Sequence, residues 1–197
     1  MKTFFSIGDM DMNGKRVLVR TDYNVPMDRS AIRDPKRIHA TLPTIEYLIK
    51  KNAIVIIISH LGRPDGKFDS KYSLKPVFAE LRRVLTKARG VSFAGECIGI
   101  KTKKIVDSLR PGDVLLLENL RFHKGEEEND YKFAEQLAIY ADYYVNDAFG
   151  VSHRAHASVD AITKYLPSAA GLLLQKEMKE LSKVINPKRP FVCVLGG

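Results

Sequence analysis

Sulfur is scarce in this chain. Its 197 residues hold two cysteines, Cys97 and Cys193, far apart and in apolar or mixed surroundings. A disulfide framework or a structural zinc site needs more sulfur at closer spacing, so both are read as reduced structural thiols. Long apolar runs are missing too. The longest is Ala53 to Ile58, far short of a membrane span. Residues 1–12 contain Phe4, Phe5 and Ile7 but no apolar core of signal-peptide length, and the expected location is cytoplasmic. No low-complexity tract and no fixed-length repeat occurs. Nor is there a nucleotide motif. Gly62-Arg63-Pro64-Asp65-Gly66-Lys67 is one residue short of a phosphate-binding loop and runs into Phe68, and no GxGxxG is present.

What is present is an ordinary globular balance, 45% hydrophobic and 28% charged, in a length that suits one α/β domain. Lysine and arginine number 32 against 23 acids, a net charge of +9. That surplus points to an anionic partner: nucleic acid, an acidic membrane or a phosphorylated small molecule.

Apolar runs alternate with helical patterns. Strands are expected at Arg16–Arg20, Ala53–Ser59, Val91–Ala94, Val114–Leu117, Asp142–Val145 and Phe191–Leu195. Helices are expected at Pro35–Lys51, Leu74–Leu85, Ile98–Leu109, Asp130–Ala141 and Leu174–Ile185, with Pro43 kinking the first. The alternation implies an α/β three-layer sandwich, a mainly parallel Rossmann-like sheet flanked by helices. Such sheets bind ligands beyond the carboxyl ends of their strands.

Four segments follow strands there: Thr21 to Pro26, His60 to Pro64, Glu118 to His123, and Asn146 to Gly150. They bring Asp22 and Asn24, His60, Gly62 and Arg63, and Arg121 toward one edge. Arg154 follows the last segment, and Arg37 opens the first helix. Arginine offers a fixed fork of donors that matches carboxylate or phosphate oxygens. The alternative is that each arginine pairs with a nearby acid such as Asp34, Asp65, Glu118 or Asp147. His60 alone reads equally as a structural histidine, and Asp22 and Asn24 as turn residues. His153 and His156 have a spacing that suits a metal on a helix, but no third ligand is near and Arg154 lies between them, so no metal site is expected. A nucleic-acid module would show a continuous basic stripe with exposed aromatics. Arginines held in separate loops fit a compact anion better.

Taken together, Arg20-Thr21-Asp22-Tyr23-Asn24-Val25-Pro26, Ser59-His60-Leu61-Gly62-Arg63-Pro64, Leu117-Glu118-Asn119-Leu120-Arg121-Phe122-His123, and Val145 to Gly150 with His153-Arg154-Ala155-His156 resemble phosphoglycerate kinase. They stand in the family's order, and the likeness runs from about Gly14 to the last residue. Thr21 and Tyr23 depart from the usual valine and phenylalanine.

The resemblance implies a substrate-binding domain over residues 1–197. Asp22 and Asn24 would meet the carboxylate and hydroxyl end of 3-phosphoglycerate. Arg63, Arg121 and Arg154, with His60 and the Gly62 turn, would hold its phosphate and surroundings. Arg37 would reach the carboxylate and act as the catalytic residue, stabilising the phosphoryl group in transfer to or from 1,3-bisphosphoglycerate. It further implies that Mg-ADP or Mg-ATP belongs to a C-terminal domain expected to follow Leu195-Gly196-Gly197. The chain is therefore expected to be a fragment with no cofactor of its own, from a typically monomeric family without nucleic-acid or membrane partners. A free-standing anion-binding or regulatory derivative of the kinase is the alternative.

Overall fold

The computed structural model describes residues 5–28, 31–185, 187–192 and 194. Six strands form one sheet: β1 (Arg16–Arg20), β4 (Ile54–Ile58), β5 (Gly90–Phe93), β6 (Asp113–Leu116), β7 (Tyr143–Asn146) and β8 (Ser168–Ala170). Their order is β5-β6-β4-β1-β7-β8, and each neighbouring pair is parallel. A small antiparallel hairpin, β2 (Met27–Asp28) with β3 (Ala31–Ile32), stands apart. The helices are α1 (Lys36–Lys50), α2 (Lys75–Val84), α3 (Ile100–Ser108), α4 (Lys124–Glu127), α5 (Tyr131–Ala138) and α6 (Leu172–Ser182). None of the helices among the described residues is long and apolar enough to cross a membrane.

Strand alternation builds the three layers. Val17, Val19, Val55, Ile57, Val114 and Leu116 face one cluster, closed by Ile38, Ile45 and Leu48 of α1 and Val77 and Leu81 of α2. Leu18, Ile56, Ile58 and Leu115 face the other, closed by Val106 of α3 and Phe133 and Leu137 of α5. Each fully buried aliphatic side chain contributes roughly 1.5–3 kcal/mol, so both faces of the sheet are held by burial. Arg20 continues the even-numbered side of β1 and so points its charge into the α5 layer.

The expected α/β sandwich is thus the observed one, with several boundaries moved. α1 runs unbroken through Pro43. α3 starts at Ile100 because Gly99, at φ 106°, breaks the chain direction before it. β8 and α4 were not expected. Of the strand expected at Phe191–Leu195, Cys193 and Leu195 lie outside the described residues, while Phe191, Val192 and Val194 are exposed and unpaired in any strand. Cys97 is free and buried. Its Sγ lies 2.9 Å from the Glu118 carbonyl, and burial pushes its thiol up.

Candidate functional site

The register aligns Arg20 with Ile58 and with Asn146, so the loops after β1, β4 and β7 leave the sheet at one edge. The loop after β6 joins them, since Ile57 pairs with Leu116.

The first loop is a turn fixed by Asp22, whose Oδ1 accepts from the Asn24 amide at 3.1 Å. Its Oδ2 holds the guanidinium of Arg37, which reaches across from the first turn of α1 with its side chain half exposed. Asn24 ties the first loop to the second, because its Oδ1 accepts from the Gly62 amide at 2.9 Å. Gly62 has φ 62°, and a Cβ there would lie 2.2 Å from the Tyr72 ring. Only glycine fits both the backbone and the space. The Gly62 carbonyl accepts from Arg121 Nη1 at 2.7 Å, which ties in the third loop. Beneath it, Asn119 braces the same loop through the Leu61 backbone, accepting from its amide at 3.3 Å and donating to its carbonyl at 2.7 Å.

Arg121 is nearly buried. Glu127 Oε1 is 3.2 Å from its Nε, but that N–H makes no aligned hydrogen bond. Burial lowers the Arg121 pKa; Glu127 opposes this, and Arg154 and Arg20 add to it. His60 lies in the same field. Burial holds its imidazole far below the ordinary range, and Arg20, Arg121, His156 and Arg154 push the same way. Arg154 is half buried and Arg63 exposed, and neither side chain has a hydrogen-bonding or ionic partner among the described residues.

The structure therefore joins Asp22, Asn24, Arg37, Gly62, His60, Arg121 and Arg154 by contact or mutual field. Arg63 shares the Gly62 loop but is tied to the set by no contact. Three of the four acids considered as local partners do other work. Asp34 accepts from the Lys36 amide just before α1, Glu118 accepts from Ser73 and Leu74, and Asp147 accepts from Leu173 and Leu174 at the start of α6. A cleft of about 240 Å³ lies on the Arg37 side, lined by Asp22, Arg37, Thr41, Asp147, Gly150 and Glu177 among others. Burial and the Asp22 charge raise the Glu177 carboxyl there, while Arg37 opposes them.

Two buried residues escaped the sequence reading. Arg20 ends β1 with 1% of its surface exposed, and Glu126 of α4 has 0%. The available signal was an arginine closing the apolar run Val17-Leu18-Val19, since a charge at such a place needs a partner. No group of three or more His, Cys, Asp or Glu among the described residues comes together as a metal site. The Gly62–Lys67 loop has three of its amides engaged within the chain. Its Gly62 amide donates to Asn24, Gly66 to the Arg121 carbonyl and Lys67 to the Pro64 carbonyl, so these donors are already used.

The sequence profile described as phosphoglycerate kinase matches residues 7–197. The chain belongs to the phosphoglycerate kinase family. It is 52% identical over 193 residues to the phosphoglycerate kinase of Moorella thermoacetica, covering 98% of this chain and 49% of that protein. It is 51% identical over 199 residues to the chloroplastic phosphoglycerate kinase of Chlamydomonas reinhardtii, covering 98% and 43%. The solved phosphoglycerate kinase of Coxiella burnetii matches with a TM-score of 0.85 at 39% identity, over 98% of this chain and 48% of that one. The chain thus spans about half the length of the curated relatives it matches.

Proposed function

We propose that this chain is the 3-phosphoglycerate-binding half of a phosphoglycerate kinase, an enzyme that moves a phosphoryl group between 1,3-bisphosphoglycerate and ADP. The observation that carries the reading is the cluster of cations around His60, in which Arg154 has no carboxylate of its own. Cations gathered at strand ends repel one another until an anion arrives, and hydrogen bonds from arginine to a charged group contribute about 1.5–3 kcal/mol each.

In this reading Asp22 and Asn24 orient the hydroxyl and carboxylate end of the glycerate. Arg63, Arg121 and Arg154 take the phosphate, with His60 and the Gly62 turn beside them. Arg37 leaves Asp22 far enough to meet the carboxylate and the charge that builds on the transferring group. Its half-exposed side chain and single carboxylate tether suit a group that must move.

Transfer also requires a magnesium nucleotide, which supplies the second phosphate chain. The occupied amides of the Gly62–Lys67 loop do not suit it, so it is assigned to the other half of the parent enzyme. Cytoplasmic location belongs to the same proposal.

Titration calorimetry with 3-phosphoglycerate tests the reading. The expected dissociation constant is micromolar to millimolar, about −4 to −8 kcal/mol, weakening as salt rises. No heat at several millimolar ligand, on the order of the weak limit, would count against it. A coupled assay on the chain alone should show no turnover. Activity that survives re-purification would mean that a nucleotide site exists in this half.

A further inference from the structure

Beneath the candidate site lies a charged network that the proposed reaction does not touch. Arg20 and Glu126 are both shut off from water, with Arg20 Nη2 3.8 Å from Glu126 Oε1. Ser158 bridges them: its Oγ accepts from Arg20 Nε at 2.8 Å and donates to Glu126 Oε1 at 2.6 Å. The Ser158 amide donates to the other carboxylate oxygen at 3.0 Å. Ser158 is itself held, since its carbonyl accepts from the Tyr144 hydroxyl at 2.7 Å. Arg20 Nη1 donates to the Thr21 carbonyl. The guanidinium has one orientation left, and in it Nη2 lies 3.1 Å from His60 Nδ1.

A guanidinium has N–H donors only and does not lose its proton. The atom facing it must therefore be an acceptor, which makes Nδ1 the bare nitrogen of the ring. The other side of the ring agrees independently. His60 Nε2 faces the Asp22 carboxylate, 4.0 Å from Oδ1, where an N–H is the complement. A donor on one side and an acceptor on the other leave one tautomer.

We propose that Arg20, clamped by Glu126 and Ser158, is a positioning residue that holds His60 as the neutral Nε2–H tautomer, so that His60 meets the ligand as a hydrogen-bond donor and not as a cation. Arg20 touches no ligand; it acts through the ring. The inference rests on the substrate reading only for what His60 meets.

The charged and titratable groups around the ring are Arg20 from β1, Asp22 from the loop after it, Arg121 from the loop after β6, and Arg154 and His156 from the loop after β7, with Glu126 behind Arg20 and His156 as the sixth. Four of the six are cations or a second imidazole, so a proton on His60 has little to gain. Burial acts in the same direction. The Nε2 donor stays fixed while the pH varies, and the ligand's negative charge is met by the arginines.

Long-range proton–nitrogen correlation spectra of the isotopically labelled chain read the tautomer directly. The expected result is a protonated Nε2 and a bare Nδ1, unchanged from about pH 5 to about pH 9, a range in which an unperturbed histidine titrates. A protonated Nδ1, a mixture of tautomers or an imidazolium in that range overturns the proposal.

In the double variant Arg20→Met with Glu126→Leu, which removes both buried charges, the ring should show mixed tautomers. Its 3-phosphoglycerate affinity should fall by about ten-fold, the loss expected when one hydrogen bond to a charged ligand is misplaced. A ring that keeps the pure tautomer with unchanged affinity removes Arg20 from the role. If that variant does not fold, Ser158→Ala keeps both charges and should still mix the signature; an unaffected ring there removes the clamp. A wild-type chain with the expected tautomer that binds no 3-phosphoglycerate supports the clamp and overturns the substrate reading instead. One that binds the ligand with Nδ1 protonated does the reverse.

Discussion

Two carboxylates lie under the carboxyl edge of the sheet, and each has 0% of its surface exposed. Glu126 faces a cation, Arg20, and takes two hydrogen bonds from Ser158. Asp147 has no cation in contact among the described residues; its Oδ1 takes the Leu173 amide at 3.0 Å and the Leu174 amide at 3.2 Å, at the start of α6. Burial raises the Asp147 pKa to about 6; the Thr44 hydroxyl and the two amides oppose it only in part, and the Glu177 charge adds to it. The difference shows two ways of keeping a buried acid. One fixes a charge network that orients His60. The other leaves an acid that takes up a proton in mildly acidic solution, at the root of a helix bordering the Arg37 cleft.

The largest expected effect breaks the first arrangement. Glu126→Leu leaves Arg20 buried without its counter-ion and should cost about 3–5 kcal/mol of unfolding free energy in urea. Adding Arg20→Met should return most of it. If the single variant loses under about 1 kcal/mol, the two charges are not coupled as described.

The second concerns Asp147 and pH. Its folded pKa lies above the ordinary value of 3.8. The folded chain therefore keeps a proton that the unfolded chain has released. Stability from this group is full below about pH 4 and is lost as pH rises through about 6, by at most roughly 3 kcal/mol. Asp147→Asn keeps an oxygen for the α6 amides and removes the titration. Its stability relative to the parent should rise across that window, and a difference that stays flat with pH would contradict the assignment.

Ligand contacts come next. Arg37→Ala and Arg121→Ala should each weaken 3-phosphoglycerate binding by about 1.5–3 kcal/mol with the fold intact, while Lys51→Ala and Lys104→Ala serve as controls. Equal losses in all four would mean diffuse charge instead of a site. The smallest expected change is Gly62→Ala. A left-handed backbone without glycine costs about 1–2 kcal/mol, and the Tyr72 ring must also move. Thermal denaturation reads the loss, and calorimetry should show weaker binding, because Gly62 joins Asn24 to Arg121.

Much of this was legible from residue order, because local periodicity determines most of the elements. The run Ile54–Ile58 is apolar on both faces, and the central strand β4 follows from it. The helices carry their stripes at three- and four-residue spacing. What escaped depends on distant partners. β8 has only Ser168, Ala169 and Ala170, with no apolar alternation to mark it, and it exists because β7 and a bridge from Ser6 pair with it. α6 begins two residues early because Asp147, 25 positions upstream of Leu172, caps it from another loop. The strand-end loops and most of their polar residues were readable from motif and placement. Arg20 was not, since its partners Glu126 and Ser158 come from segments more than a hundred residues away in sequence.

The measurement that bears most directly on the central claim is a residue-resolved NMR titration of the labelled chain with 3-phosphoglycerate. Amide shifts should concentrate at Asn24, Gly62, Arg121 and Arg154, the four loops at the carboxyl edge, and saturate together with one dissociation constant. Arg89 and Arg110, beside the start of β6 at the opposite edge, should stay still. Shifts spread evenly over basic residues at both edges, or confined to Arg89 and Arg110, would contradict a substrate site at the strand ends.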